Sequence, residues 1–289
     1  MEAFRTPDER FEGLPGFEFA PHYEQIDGLR LHYLDEGEGD PVVCFHGEPT
    51  WSYLYRKMLP PLVAGGHRVI APDYAGFGRS DKPTDRDWYS YDGHVELMTA
   101  LLERLDVRGA TVVVQDWGGP IGLRWATENP ERVDRLVIMN TGLFAGQVNK
   151  AFMAWRNFAE RNPDLPVGFV IDGATATDVP KDVIQAYEAP WPNAESKAGA
   201  AAFPLLVPIS EDAPGVPEMN AARDRLAAWE KPALVCFSDS DPIFTPKAGQ
   251  RFVDLIPGAV GLTVIQGAAH FLQEDKGEEI AAEINSFLA

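Results

Sequence analysis

Basic residues, cysteines and long apolar runs are all scarce in this chain of 289 residues. Lys and Arg total 25 against 44 Asp and Glu, giving a net charge of −19. Such a surface repels nucleic acid and anionic membranes and favours solubility, whereas a neutral small substrate does not feel it. The two cysteines, Cys44 and Cys236, lie in apolar strand-like runs, where a thiol behaves as a small buried hydrophobe, so no disulfide is expected. No run is long and apolar enough to span a bilayer. The start Met1 to Pro7 lacks the apolar stretch of a signal peptide, which makes the cytoplasm the expected compartment. Clustered His/Cys metal spacings and phosphate-binding loops are missing too, so neither a metal nor a nucleotide cofactor is expected. There is no internal repeat. With 45% hydrophobic residues, the length supports one large α/β domain with an insertion, as a monomer or a small homo-oligomer.

What is present is an alternation of short strands and helices. Tyr23 to Ile26 and Leu29 to Leu34 flank Asp27-Gly28, a tight-hairpin dipeptide. Val42 to His46, Arg68 to Ala71, Thr111 to Gln115, Leu136 to Asn140, Ala233 to Phe237 and Leu262 to Ile265 read as buried strands. The clearest intervening helices are Val95 to Leu105, Pro120 to Thr127, Ala221 to Trp229 and Gly277 to Phe287, which implies a mainly parallel sheet covered on both faces. Residues 145–215 break the rhythm. That stretch is rich in Ala, Pro and aromatics, has helical pieces at Lys150 to Arg161 and Pro180 to Glu188, and has no convincing strand. It reads as a helical cap inserted into a core formed by residues 1–144 and 216–289.

The segment Val112-Val113-Val114-Gln115-Asp116-Trp117-Gly118-Gly119-Pro120 reads as strand, sharp elbow and helix, the setting of a nucleophile elbow. A carboxylate stands at its apex, where serine is usual. A free Asp ionises at about pH 3.9 and needs no partner to deprotonate it, and a helix N-terminus favours its charge further. Attack on an ester or amide carbonyl would give an unfavourable anhydride, whereas displacement at saturated carbon gives an ordinary, hydrolysable ester. The substrate should therefore carry a leaving group on sp3 carbon. Taken alone, such an Asp would more often be a helix cap.

Hydrolysing that ester calls for a base near neutral pKa, and His270 follows the strand Leu262 to Ile265 through a short loop. A third group should orient the base. The loop Phe237-Ser238-Asp239-Ser240-Asp241-Pro242 offers two acids, of which Asp241 is chosen for its Pro242 neighbour, while Asp239 suits a turn cap. The order Asp116, Asp241, His270 is the nucleophile, acid, histidine order of α/β hydrolases, and all three fall at strand C-termini. His46 opens the loop His46-Gly47-Glu48-Pro49, which can present backbone N–H groups to an oxyanion.

Val-Gln-Asp-Trp-Gly-Gly at 114–119, His-Gly-Glu-Pro-Thr-Trp at 46–51 and Asp-Tyr-Ala-Gly-Phe-Gly-Arg-Ser-Asp-Lys-Pro at 73–83 resemble the haloalkane dehalogenases, over nearly the whole chain. The resemblance is to the branch with an Asp-His-Asp triad and two halide-holding tryptophans. It implies Trp117 and, from the cap segment Phe152-Met153-Ala154-Trp155-Arg156, Trp155 as those two. It also implies the backbone N–H groups of Glu48 and Trp117 as the oxyanion hole, Phe152 in the halide pocket, and a small neutral halogenated alkane and a halide ion as ligands. The physics agrees, since an indole N–H can only donate and a departing halide needs no proton. Phe152, Trp155 and Phe158 share a helical face that also suits packing of the cap on the core. Trp51, Trp88, Trp125, Trp191 and Trp229 read as packing or pocket wall, and Phe203, Leu205, Leu206 and Val207 as further apolar wall.

Rival readings remain at this point. Epoxide hydrolases share the Asp nucleophile, but their alkoxide leaving group calls for an acid, typically a pair of cap tyrosines, and here only Tyr187 is available. Relatives that cleave haloacids place an arginine after the nucleophile, where this chain has Trp117 and Pro120. A non-enzymatic ligand receptor on the same scaffold is the alternative from another class, and it has no need to keep a triad together.

Overall fold

The structure is a computed structural model that describes residues 2–143, 146 and 148–289. Among these, eight strands form the central sheet: β1 (His22–Ile26), β2 (Leu29–Glu36), β3 (Pro41–Phe45), β4 (Arg68–Pro72), β5 (Ala110–Gln115), β6 (Val133–Met139), β7 (Ala233–Ser238) and β8 (Ala259–Ile265). Their order across the sheet is β8-β7-β6-β5-β3-β4-β2-β1. β1 and β2 form the antiparallel hairpin, with Asp27 and Gly28 both at positive φ in its turn. β2 also lies antiparallel to β4, and every later pairing is parallel. β5 is buried along its whole length, as expected for a Val-rich strand covered on both faces.

Helices α1 (Leu59–Ala64), α2 (Tyr91–Arg104), α3 (Gly118–Glu128), α8 (Val216–Leu226), α9 (Pro246–Leu255) and α10 (Leu272–Leu288) cover the sheet, with α1 packed on α10 and both α2 and α8 on α3. Between β6 and β7 the chain forms α4 (Lys150–Arg161), α5 (Val167–Gly173), α6 (Lys181–Glu188) and α7 (Ala198–Leu206) before reaching α8, with no strand among the described residues. This is the helical cap. The expected boundary between residues 144 and 145 lies outside the described residues. No helix of the described residues is long and apolar enough to cross a membrane.

Some element ends differ from those expected. α2 begins at Tyr91 rather than Val95, because the Ser90 side chain accepts a hydrogen bond from the Gly93 N–H and caps the helix earlier. α8 runs from Val216 rather than Ala221, with Pro217 in its first turn, and stops before Trp229. β6 ends at Met139, one residue short of Asn140, which turns to φ 23°. α10 opens with a turn at Leu272, is interrupted at Lys276 (φ −139°, ψ 34°), and resumes at the expected Gly277.

The strand order places the site. α1 leads from β3 out to β4, and α2 leads back across β3 to β5, so the C-terminal ends of β3 and β5 meet where the winding reverses. There the loop after β3 approaches Asp116 so closely that a Cβ on Gly47 would lie 2.4 Å from the Asp116 Cβ.

Candidate active site

Asp116 occupies the elbow between β5 and α3 at φ 51°, a left-handed conformation that a branched side chain would strain. Its surroundings compensate. The Asp116 N–H donates to Asn140 O at 2.9 Å and its carbonyl accepts from the Gly119 N–H at 2.9 Å and from the Thr141 hydroxyl. A Cβ on Gly118 would sit 2.1 Å from Phe45 O, so only glycine lets α3 start this close to β3. The carboxylate faces the cavity and is 17% exposed there. Its Oδ1 accepts from the Glu48 N–H at 2.8 Å. Burial raises the Asp116 carboxyl above the usual carboxylate range, while His270 and the backbone N–H groups of Glu48 and Trp117 pull it back toward ionisation.

The residues expected as base and acid, His270 and Asp241, are brought together by register. Gln115 pairs with Met139, Met139 with Cys236 and Ser238 with Ile265, so β5 and β6 end level with each other and β7 and β8 end level two residues further on. The loops beyond β7 and β8 then run side by side, with the Ser240 N–H donating to Ala268 O at 3.1 Å. Asp241 Oδ2 lies 2.8 Å from His270 Nδ1. A carboxylate can only accept, so Nδ1 carries the proton and Nε2 is the accepting nitrogen, 3.3 Å from Gln115 Nε2 and 3.7 Å from Asp116 Oδ2. Asp241 Oδ1 accepts from the N–H groups of Ile243 at 2.7 Å and Phe244 at 3.0 Å. Burial opposes charge on both members of the pair. It is outweighed by their mutual attraction: Asp241 titrates below its ordinary value and His270 above, with Asp116 adding to the rise at His270. Asp239 is turned aside and accepts from the Gly267 N–H at 3.1 Å.

Two residues that the sequence does not single out complete this arrangement. Asn140 joins the ends of three strands. Its Nδ2 donates to Ser238 Oγ at 2.7 Å, Ala269 O at 3.0 Å and Asp241 Oδ2 at 3.1 Å, and its Oδ1 accepts from the Ser238 N–H at 2.9 Å. Gln115 Nε2 donates to His270 O at 3.2 Å. The signal available for Asn140 is a polar residue ending an apolar strand at the edge where catalytic loops gather.

A cavity of about 790 Å³ opens above Asp116, lined also by Asp241 and His270 and by Trp117, Phe152, Trp155 and Phe158. The two tryptophans come from opposite sides: Trp117 from the elbow, wedged against Phe203, and Trp155 from α4. Among the described residues lining the cavity there is no tyrosine, arginine or lysine. Tyr187 lies elsewhere, buried, with its hydroxyl donating to Glu274 Oε2 at 2.6 Å beside the Arg56–Glu274 pair. Of the apolar wall expected from α7, Val207 lines the cavity together with Pro204. Phe203 instead stacks edge-on against Trp117 at 5.1 Å, and Leu205 and Leu206 are not among the lining residues.

Glu48 contributes more than its backbone. Its carboxyl is buried at the cavity edge with Oε1 lacking a partner, and burial together with the Asp116 charge pushes its pKa well above the usual range. His46 shapes the same loop: Nδ1 lies 2.8 Å from Gly47 O, Nε2 accepts from the Tyr74 N–H, and burial pushes its pKa down to about 4, so it stays neutral. Trp51, Trp88, Trp125, Trp191 and Trp229 do not line the cavity. Trp51 packs on Phe11, Phe17 and Tyr53, and Trp191 Nε1 donates to Gly76 O at 3.1 Å. Cys44 and Cys236 are both free and buried. No group of three or more His, Cys, Asp or Glu among the described residues is arranged to hold a metal ion.

The sheet, the elbow and the cap make the protein an α/β hydrolase, and a match to the family described as alpha/beta hydrolase fold spans residues 40–183. Full-length similarity narrows this. The chain is 47% identical to a haloalkane dehalogenase of Psychrobacter cryohalolentis over all of its own length and 98% of that protein's, and 48% identical to one of Mycobacterium marinum over 99% and 100%. It superposes on the tetrameric haloalkane dehalogenase DpaA from Paraglaciecola agarilytica NO2 with a TM-score of 0.93 at 35% identity, covering 98% of this chain and 97% of that one. The chain belongs to the haloalkane dehalogenase family.

Proposed function

We propose that the protein hydrolyses the carbon–halogen bond of small neutral haloalkanes through an alkyl ester on Asp116, with residues 145–215 acting as the cap over a core of residues 1–144 and 216–289. The observation that carries this reading is the carboxylate at the elbow facing a largely apolar cavity to which Trp117 and Trp155 both contribute, with no tyrosine among the described lining residues to protonate an alkoxide leaving group. Asp116 Oδ2 attacks carbon from the side opposite the halogen, and the carbon–halogen bond breaks as the carbon–oxygen bond forms. Trp117 and Trp155 hold the departing halide through their Nε1–H groups, and Phe152 closes the pocket around it. Oδ1, already bonded to the Glu48 N–H, becomes the ester carbonyl oxygen.

His270, oriented by Asp241, takes a proton from water, and the resulting hydroxide adds to Asp116 Cγ. The negative charge then develops on Oδ1 opposite the N–H groups of Glu48 and Trp117, and collapse breaks the Cγ–Oδ2 bond as His270 returns its proton to the departing oxygen, releasing the alcohol and leaving the Asp116 carboxyl to lose its proton. Alkyl halide and water give alcohol, halide and one proton, and the carboxylate is restored. Epoxide hydrolysis fits less well, because Tyr187 is engaged with Glu274 away from the cavity. A haloacid substrate fits poorly too, since no arginine or lysine is among the described lining residues to hold its carboxylate.

The test is halide release from short bromo- and chloroalkanes by the wild type and Asp116→Ala, with an epoxide panel run in parallel. Release by the wild type should fall at least about 10³-fold in the variant, as removal of a covalent nucleophile does. Epoxide opening without halide release would promote the rival enzyme, and silence in both assays would favour a ligand receptor.

A further inference from the structure

The loop that carries His270 is fastened to the cap on both sides of the base. Just before it, the Ala269 N–H donates to Asp275 Oδ2 at 2.9 Å. Just after it, the Phe271 N–H donates to Ala174 O at 3.3 Å. The same Asp275 carboxylate holds the cap: Oδ1 accepts from the Thr177 N–H at 2.8 Å and the Thr177 hydroxyl at 2.7 Å, and both oxygens lie 3.0 Å from the Ala176 N–H. The cap stretch it holds is also substrate wall, because Gly173, Ala174, Thr175 and Ala176 all line the main cavity. Asp275 stands on the isolated first turn of α10, ahead of the interruption at Lys276, so that turn aims it sideways between loop and cap.

We propose that Asp275 is a positioning residue for the hydrolysis half of the reaction, tying cap residues 174–177 and the loop 269–271 into one unit so that the substrate wall also sets where His270 Nε2 stands. The inference rests on the reading of Asp116 as the alkylated group and His270 as the base. The two halves of the reaction depend on this unit unequally. Asp116 is held by Glu48, Asn140, Gly119 and Thr141, none of which bonds to Asp275, so formation of the ester depends on the link only through the substrate wall and less than hydrolysis does. Hydrolysis needs Nε2 and a water placed against Asp116 Cγ. Nε2 stands 3.7 Å from Oδ2, and a displacement of about 1 Å at such a distance costs on the order of 100-fold.

The experiment separates the two steps by rapid quench of the full chain with a short bromoalkane, following bromide for ester formation and alcohol for ester hydrolysis. Asp275→Asn is close to isosteric but has only one acceptor oxygen, so its amide N–H₂ must face either the Ala269 N–H or the Thr177 donors. Hydrolysis should slow about tenfold and ester formation change less than about twofold, so that ester accumulates. Thr177→Val, which removes only the hydroxyl donor, should shift the same ratio in the same direction by less, and should add nothing on the Asp275→Asn background. Equal slowing of both steps, or no change in their ratio in either variant, would overturn the proposal. A wild type that releases no bromide would overturn the dehalogenase reading itself, and this inference with it.

Discussion

The floor and the roof of the cavity are built from the same chain by different rules. On the floor, Asp116, Asp241 and His270 each stand at a strand end and are held by directional bonds, from Glu48, Ile243, Phe244 and Asn140. Bonds to a charged group contribute roughly 1.5–3 kcal/mol each and fail when geometry drifts. The roof is Phe152, Trp155 and Phe158 of α4, Phe169 and Val170 of α5, and Pro204 and Val207, surfaces that act through apolar area. Area is worth about 25 cal/mol per Å² in almost any arrangement. A floor residue should therefore be nearly irreplaceable for the chemistry, and a roof residue should adjust which substrate fits.

The largest effect that tests this contrast is at the base. His270→Phe should release halide once per enzyme and then stop, because the base acts only on the ester, and intact-mass measurement should find the alkyl group on Asp116. Full turnover would remove His270 from the mechanism. The wild type carries a related pH signature. Burial lowers the His270 pKa, but Asp241 and Asp116 together raise it above the ordinary imidazole value. The base works only when neutral, so hydrolysis is lost as pH falls through the His270 pKa of the ester, not of the free enzyme. Alkylation cancels the Asp116 charge, which leaves Asp241 alone to raise the pKa. The acid limb of the hydrolysis rate should therefore lie at lower pH than the titration of His270 in the free enzyme, measured by NMR. Coincident curves would contradict the assignment of Asp116 as the esterified group.

The two tryptophans test the boundary itself, since one belongs to each side. Trp155→Phe removes the indole donor proposed to hold the halide and keeps an aromatic ring, and should weaken bromide binding by about 1.5–3 kcal/mol, or roughly 10- to 150-fold. Quenching of the remaining tryptophan fluorescence by bromide measures it. An unchanged affinity would leave the halide to the floor alone.

How far each side was legible in the sequence follows the same division. That Asp116, Asp241 and His270 meet at one edge of the sheet could be read because β-branched runs mark where the strands end. Asn140 could not, since its role exists only once β6, β7 and β8 are in register, and as a polar residue closing an apolar run it reads as part of the strand. The Glu48 carboxyl was hidden because the loop motif points to its backbone alone, while its burial beside Asp116 depends on the meeting of β3 and β5. In the cap, α5 is short and lies between Pro166 and Gly173, and α7 carries Pro204 inside an Ala-rich run, so periodicity had little to work with. The wall expected from Phe203 failed for a related reason. One turn of helix decides whether a ring faces the cavity or the back of Trp117.

The smallest effect expected is at the rim of the roof. Phe169 lines the cavity from α5 yet is 69% exposed, with its ring 6.1 Å from that of Phe158. So little of it is buried that Phe169→Ala should change stability by less than about 0.5 kcal/mol. On the proposed function, the same side chain offers a bound haloalkane an apolar contact at the cavity wall. Losing that contact should cost roughly 1 kcal/mol of binding, about a fivefold rise in KM for longer bromoalkanes, with kcat unchanged and shorter substrates less affected. A fall in kcat with chain-length preference intact would mean that α5 acts on the floor rather than on substrate fit. Since α5 ends at Gly173, immediately before the residues that bind the His270 loop, that result would place the dividing line between fit and chemistry inside the cap.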